Sequence, residues 1–133
     1  MELADVEARE SRVSLCILAG AGVTKLAVVA FTLSWTHSVE KTRWEEDWVV
    51  GRGMLAITQA RIESMGAGME TPPDAVREGR FWTWKPKIPP QPELLLRRSE
   101  AVPEGWMLCA AGVCQRVGAA GETADILTLT ACD

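Results

Sequence analysis

At 133 residues the chain holds one domain's worth of sequence and too little for two independent cores. Hydrophobic residues at 47% and charged residues at 24% sit near globular averages, which excludes wholesale disorder and low-complexity arrays. With 14 Lys and Arg against 18 Asp and Glu, and no basic block to neutralise a phosphate backbone, nucleic acid is excluded as a partner.

Residues 1–12 are acidic, and Leu3, Val6 and Ala8 are too sparse for an apolar face. They predict a frayed helix or disordered arm ahead of a single β domain over 13–133. The apolar stretch 13–33 is long enough on paper to cross a bilayer, but Gly20, Gly22, Thr24, Lys25 and Thr32 interrupt it, so no membrane span is expected. Acids outnumber Arg9 and Arg12 at the start, unlike a secretory leader, and cleavage after Ala30 would behead a strand. The location is therefore cytoplasmic by default, and extracytoplasmic if the cysteines are paired.

From Val13 onward, β-branched and aromatic residues come in short runs separated by Gly, Pro or charge, the spacing of an all-β domain. Strands are predicted over 12–19, 25–38, 42–50, 54–63, 80–84, 93–99, 106–110, 113–117 and 125–131. Gly51-Arg52-Gly53 and Ala111-Gly112 read as turns. Six of the seven prolines fall in 71–74 and 85–92, which are loops or extended edges because proline has no N–H for a ladder. The expected architecture is an antiparallel sandwich or partly open barrel of eight or nine short strands.

The first hairpin is the most specific segment. Alternation puts Phe31, Leu33, Trp35 and His37 on one face of the outgoing strand, and Trp44, Glu46, Trp48 and Val50 on one face of the return strand. Thr32, Ser34 and Thr36 share the opposite face with Arg43, Glu45 and Asp47. A two-residue turn at Glu40-Lys41 would set His37 opposite Trp44, Trp35 opposite Glu46, Leu33 opposite Trp48 and Phe31 opposite Val50. A slip of one residue would turn one strand's tryptophans to water, so parity is specified even if the turn is longer. In that register His37 and Glu46 are diagonal neighbours, roughly 7–8 Å apart, between Trp35 and Trp44. Such a pair either locks the hairpin as a satisfied core contact or forms the polar centre of an aromatic-walled ligand pocket.

Three weaker signals accompany it. Ser38 and Glu40 sit near the hairpin tip, where a charge is usually solvated. Gly66, Gly68, Met69 and Glu70 form a turn-like cluster whose backbone N–H groups could meet an anion, though it lacks the pattern of a phosphate loop. Arg97 ends a strand and suits a carboxylate ligand or a surface ion pair.

Of four cysteines, Cys109 and Cys114 flank the Ala111-Gly112 turn and should oppose each other in a non-hydrogen-bonded pair, where side chains come closest. Cys16 and Cys132 would tie the chain ends together. No metal site is expected, since no second close pair accompanies Cys109 and Cys114 and the only His lies far upstream. No cofactor is indicated.

The run from Phe31 to Trp48, with its His37-Ser-Val-Glu40 stretch, together with 66–73 and the Cys109/Cys114 hairpin, resembles a bacterial family known as a domain of unknown function. The likeness spans roughly Ser14 to the C-terminus. The resemblance implies an accessory to solute uptake, because genes of that family often lie beside TRAP transporters of the TAXI type, which import organic acids with a soluble receptor and a membrane permease. Several relatives carry an apolar anchor before the domain, where this chain begins with an acidic arm. The resemblance assigns no catalytic residue. Three roles follow: a non-catalytic domain binding a small organic acid or a transporter component through the His/Glu/Trp pocket; a small hydrolase or isomerase with His37 as general base, oriented by Glu46 and assisted by Ser38 or Arg97; or a purely structural role for these residues. The first is favoured, because Ser38 is adjacent to His37 and faces the other way, which suits no nucleophile–base pair.

Overall fold

Eleven strands form among the residues that the computed structural model describes, 13–37, 41–63, 72–99, 102–118 and 125–132. In chain order they are β1 (Ser14–Ala19), β2 (Gly22–Leu26), β3 (Ala30–His37), β4 (Thr42–Val50), β5 (Leu55–Ile62), β6 (Val76–Glu78), β7 (Phe81–Trp84), β8 (Glu93–Arg97), β9 (Trp106–Ala110), β10 (Val113–Val117) and β11 (Ile126–Cys132). They make two antiparallel sheets, a four-stranded one in the order β2-β1-β11-β8 and a seven-stranded one in the order β10-β9-β3-β4-β5-β7-β6. The sheets pack as a sandwich with no closed barrel. The acidic arm 1–12 lies outside the described residues.

One expected strand is split, and one strand, β6, is not among those expected. The single strand expected over 25–38 is split into the end of β2 and all of β3. At the break Val28 N–H bonds the Leu26 carbonyl, and Val50 N–H bonds that of Val29, as the chain passes from the small sheet to the large one. The short β6 is exposed at every position, so it carries no burial signal for a sequence to show. The apolar stretch 13–33 forms β1, β2 and the start of β3. No helix of the described residues is long and apolar enough to cross a membrane.

Inward-facing residues of both sheets meet in one core. Leu15, Ile17, Leu96, Leu127 and Leu129 come from the small sheet; Phe31, Leu33, Trp48, Ile57, Trp106 and Leu108 come from the large one. Burying a Leu, Ile or Phe is worth about 1.5–3 kcal/mol each, so this cluster is the main stabilising feature. Gln91 pins the proline-rich connector to β5, and the Thr130 hydroxyl donates to the Pro92 carbonyl at 3.2 Å. Within Pro89-Pro90-Gln91-Pro92 only Gln91 has an N–H, and it exchanges two hydrogen bonds with Leu55, at 2.6 and 2.7 Å.

Both disulfides form as expected. Cys109 and Cys114 are direct partners with Cα atoms 4.0 Å apart, across a turn in which Ala111 and Gly112 both have positive φ, the signature of a type I′ hairpin. Cys16 and Cys132 join β1 to β11 across 116 residues of sequence. On loop length alone the long bridge contributes about 4–5 kcal/mol and the short one about 2 kcal/mol.

Candidate functional site

The β3–β4 hairpin keeps the expected parity but not the expected register. His37 pairs with Thr42, Trp35 with Trp44, Leu33 with Glu46 and Phe31 with Trp48. Four residues, 38–41, therefore close the hairpin in place of two, with Lys41 at φ 53° donating its N–H to the His37 carbonyl at 2.7 Å. The extra pair of residues slides every partner by two positions and leaves the faces unchanged. His37 and Glu46 consequently are not diagonal neighbours. Their positions lie four residues apart along the ladder, about 13 Å, and the diagonal neighbour of His37 is Trp44. Ser38 and Glu40, and the turn carrying Gly66, Gly68, Met69 and Glu70, lie outside the described residues. Arg97 lies exposed at the end of β8, opposite Ile126 in the other sheet, so the fold does not bring it to the hairpin.

What the fold gathers instead is tryptophan. Pairing carries the inner face of β4 outward through Trp44↔Ile62 and Ile62↔Trp82, and through Glu46↔Ala60 and Ala60↔Trp84. All six indoles thus belong to the inner face of the seven-stranded sheet. Trp48 and Trp106 are buried in the core, and Trp35 and Trp84 pack at its border. Trp44 and Trp82 lie beyond it, and Trp35, Trp44, Trp82 and Trp84 are all only half-buried. Trp35 stacks on Trp44 with centroids 6.1 Å apart and planes 3° from parallel, and Phe31 stacks on Trp48 in the same way at 6.4 Å. The guanidinium of Arg77 on β6 lies 5.7 Å from the Trp82 ring centroid, a cation–π contact at the margin of the face.

Glu46 sits within this face. The Trp48 Nε1–H donates to its Oε1 at 3.1 Å. Burial raises its carboxyl above the ordinary carboxylate range, and the indole hydrogen bond offsets only part of that rise. The group is thus a partly desolvated acid among aromatic rings, suited to hydrogen bonding and ill suited to receiving an anion.

The opposite face of the same hairpin is built of charge. Arg61 of β5 grips Asp47 with two hydrogen bonds, 2.7 and 2.9 Å, and reaches Glu45 at 2.9 Å; Arg43 reaches the other oxygen of Glu45 at 2.8 Å. Thr32 donates to Asp47 at 2.8 Å, and Arg43 donates to the Ser34 hydroxyl at 3.3 Å. Arg61 holds the Asp47 carboxyl below its ordinary range. For Glu45, burial acts in the raising direction, but hydrogen bonds and charge from Arg43 and Arg61 outweigh it and the carboxyl is lowered. The Arg61 guanidinium is itself raised, chiefly by Asp47. Alternation alone places the acids on this face, but Arg61 reaches them only because a bulge at Asp47/Trp48 resets the β4–β5 register.

Among the described residues no three His, Cys, Asp or Glu side chains cluster as metal ligands. The geometry defines a small, disulfide-bonded β-sandwich with one aromatic and one ionic face on a single sheet. Residues 31–117, about two thirds of the chain, match the model of the family described as a domain of unknown function, DUF1850, and the chain belongs to that family. The match contains the seven-stranded sheet whole except for Ala30. No curated protein and no solved structure matches the chain.

Proposed function

We propose that this domain is a non-catalytic, extracytoplasmic accessory of bacterial TAXI-type TRAP solute uptake, docking on a transporter component through the tryptophan face. One observation carries the reading: Trp35, Trp44, Trp82 and Trp84 are only partly buried on one side of the seven-stranded sheet, and tryptophan is among the residues most enriched where protein interfaces concentrate their energy. Two disulfides are consistent with an oxidising compartment outside the cytoplasm. Glu46 weighs against a small organic acid in the same place, because an incoming anion would meet a partly desolvated carboxyl. The register weighs against His37 as a general base oriented by Glu46. His37, Trp35, Trp44 and Glu46 stay together in this reading as parts of one docking face.

The test is binding of the oxidised full chain to the purified soluble receptor and to the detergent-solubilised permease of a bacterial TAXI-type TRAP system. Trp44→Ala and Trp82→Ala should each weaken binding by about tenfold or more, as hot-spot truncations do, with little change in melting temperature because neither ring lies in the core. No binding to either component, or equal binding by both variants, refutes the proposal.

A further inference from the structure

We propose that the cleft between Arg43 and Arg116, on the ionic face of the seven-stranded sheet, binds a small monocarboxylate. The ladder builds the place: Arg116 pairs with Met107, Met107 with Ser34 and Ser34 with Glu45, so these residues form one rank across β10, β9, β3 and β4. Arg43, one step along β4, leans back over Ser34, and Arg116 leans in from the edge strand. Between them is a cavity of about 120 Å³ with Ser34 and Met107 among its lining residues.

The donors fit a carboxylate. Arg43 uses one N–H on Glu45 and one on Ser34, and Arg116 uses one on the Glu104 carbonyl, so each guanidinium keeps further N–H groups of its five. Ser34 is only 4% exposed; its oxygen accepts from Arg43, which leaves its hydroxyl proton to donate to a ligand. Two guanidinium groups and a buried hydroxyl lining one cavity are a recognition set for a planar anion. Both arginines are braced by protein contacts, so little ordering is needed on binding. Glu104 adds a negative charge to the rim, but it is exposed and solvent-screened, and it meets Arg116 through its main-chain oxygen.

Size limits the ligand. A cavity of about 150 Å³ accommodates the six carbons of a benzene ring, so this cleft of about 120 Å³ takes about four to six non-hydrogen atoms, the scale of acetate, propionate or lactate. Ser34, Arg43 and Arg116 are on the opposite face of the sheet from the tryptophans, with Trp35 also among the lining residues, and the site does not depend on the docking reading.

The experiment titrates the disulfide-intact full chain with sodium lactate and follows backbone amide and arginine Nε–H resonances by NMR. Saturable shifts are expected at Ser34, Met107 and Arg116. Arg116→Gln should weaken binding by about tenfold or more without changing the melting temperature, because Arg116 is on an exposed edge strand, and Arg97→Gln, at an exposed position in the other sheet, should leave it unchanged. The absence of saturable shifts, equal binding by Arg116→Gln, or loss of binding in Arg97→Gln would each overturn the proposal.

Discussion

Glu45 and Asp47 point to the outer face of the seven-stranded sheet, and Glu46, between them on β4, points to the inner one. The outer pair share two arginines, and the carboxyl groups are pulled below their ordinary range. Glu46 has an indole N–H and aromatic walls, and its carboxyl is pushed up. Three consecutive acids thus take two chemical characters from a period of two in the backbone. Sheet faces, not sequence neighbours, set the electrostatics here.

The largest expected effect comes from breaking the inner face. Trp48→Ala removes a buried indole, its stack on Phe31 and the donor to Glu46, and should cost about 3–5 kcal/mol in chemical denaturation. On the outer face Arg61→Ala leaves Glu45 and Asp47 side by side without their shared cation. A loss of about 2 kcal/mol is expected, smaller than for a fully buried pair because the side chains are partly solvated. Asp47→Asn should cost about 1 kcal/mol at neutral pH. Because the folded carboxyl of Asp47 lies below its unfolded value, its contribution is complete above about pH 4 and is lost as pH falls through the folded value, where variant and wild type should converge.

Glu46→Gln sharpens the contrast because its sign is opposite. The folded carboxyl is raised, so ionisation at neutral pH costs stability that the amide does not lose, and Gln can still accept from Trp48 Nε1. The variant should be the more stable protein at pH 7, with the difference closing below about pH 4, where the acid is protonated in both states. Equal stability at pH 7 would show that Glu46 is solvated in the fold.

Much of the hairpin was legible beforehand. Strands 42–50, 106–110 and 113–117 coincide with β4, β9 and β10, and the Cys109–Cys114 pairing follows from the length of the Ala111-Gly112 turn. Register was not legible, because the pattern at Trp35, His37, Trp44 and Glu46 repeats every two residues and tolerates a shift of two without penalty to either face. The tryptophan face was only half legible. Alternation shows Trp82 and Trp84 on one side of β7, but nothing local says that β7, and not β6, lies against β5.

By itself the sequence determined which side chains share a face, since the pleat alternates wherever a strand forms and the apolar set must leave water. Only the tertiary structure decided which faces meet. The neighbours β3–β9 and β5–β7 are chosen by the closing of long loops around one core, and the β3–β4 register by a four-residue tip, so the company of His37, Glu46, Arg43 and Arg116 depended on contacts that no local pattern encodes.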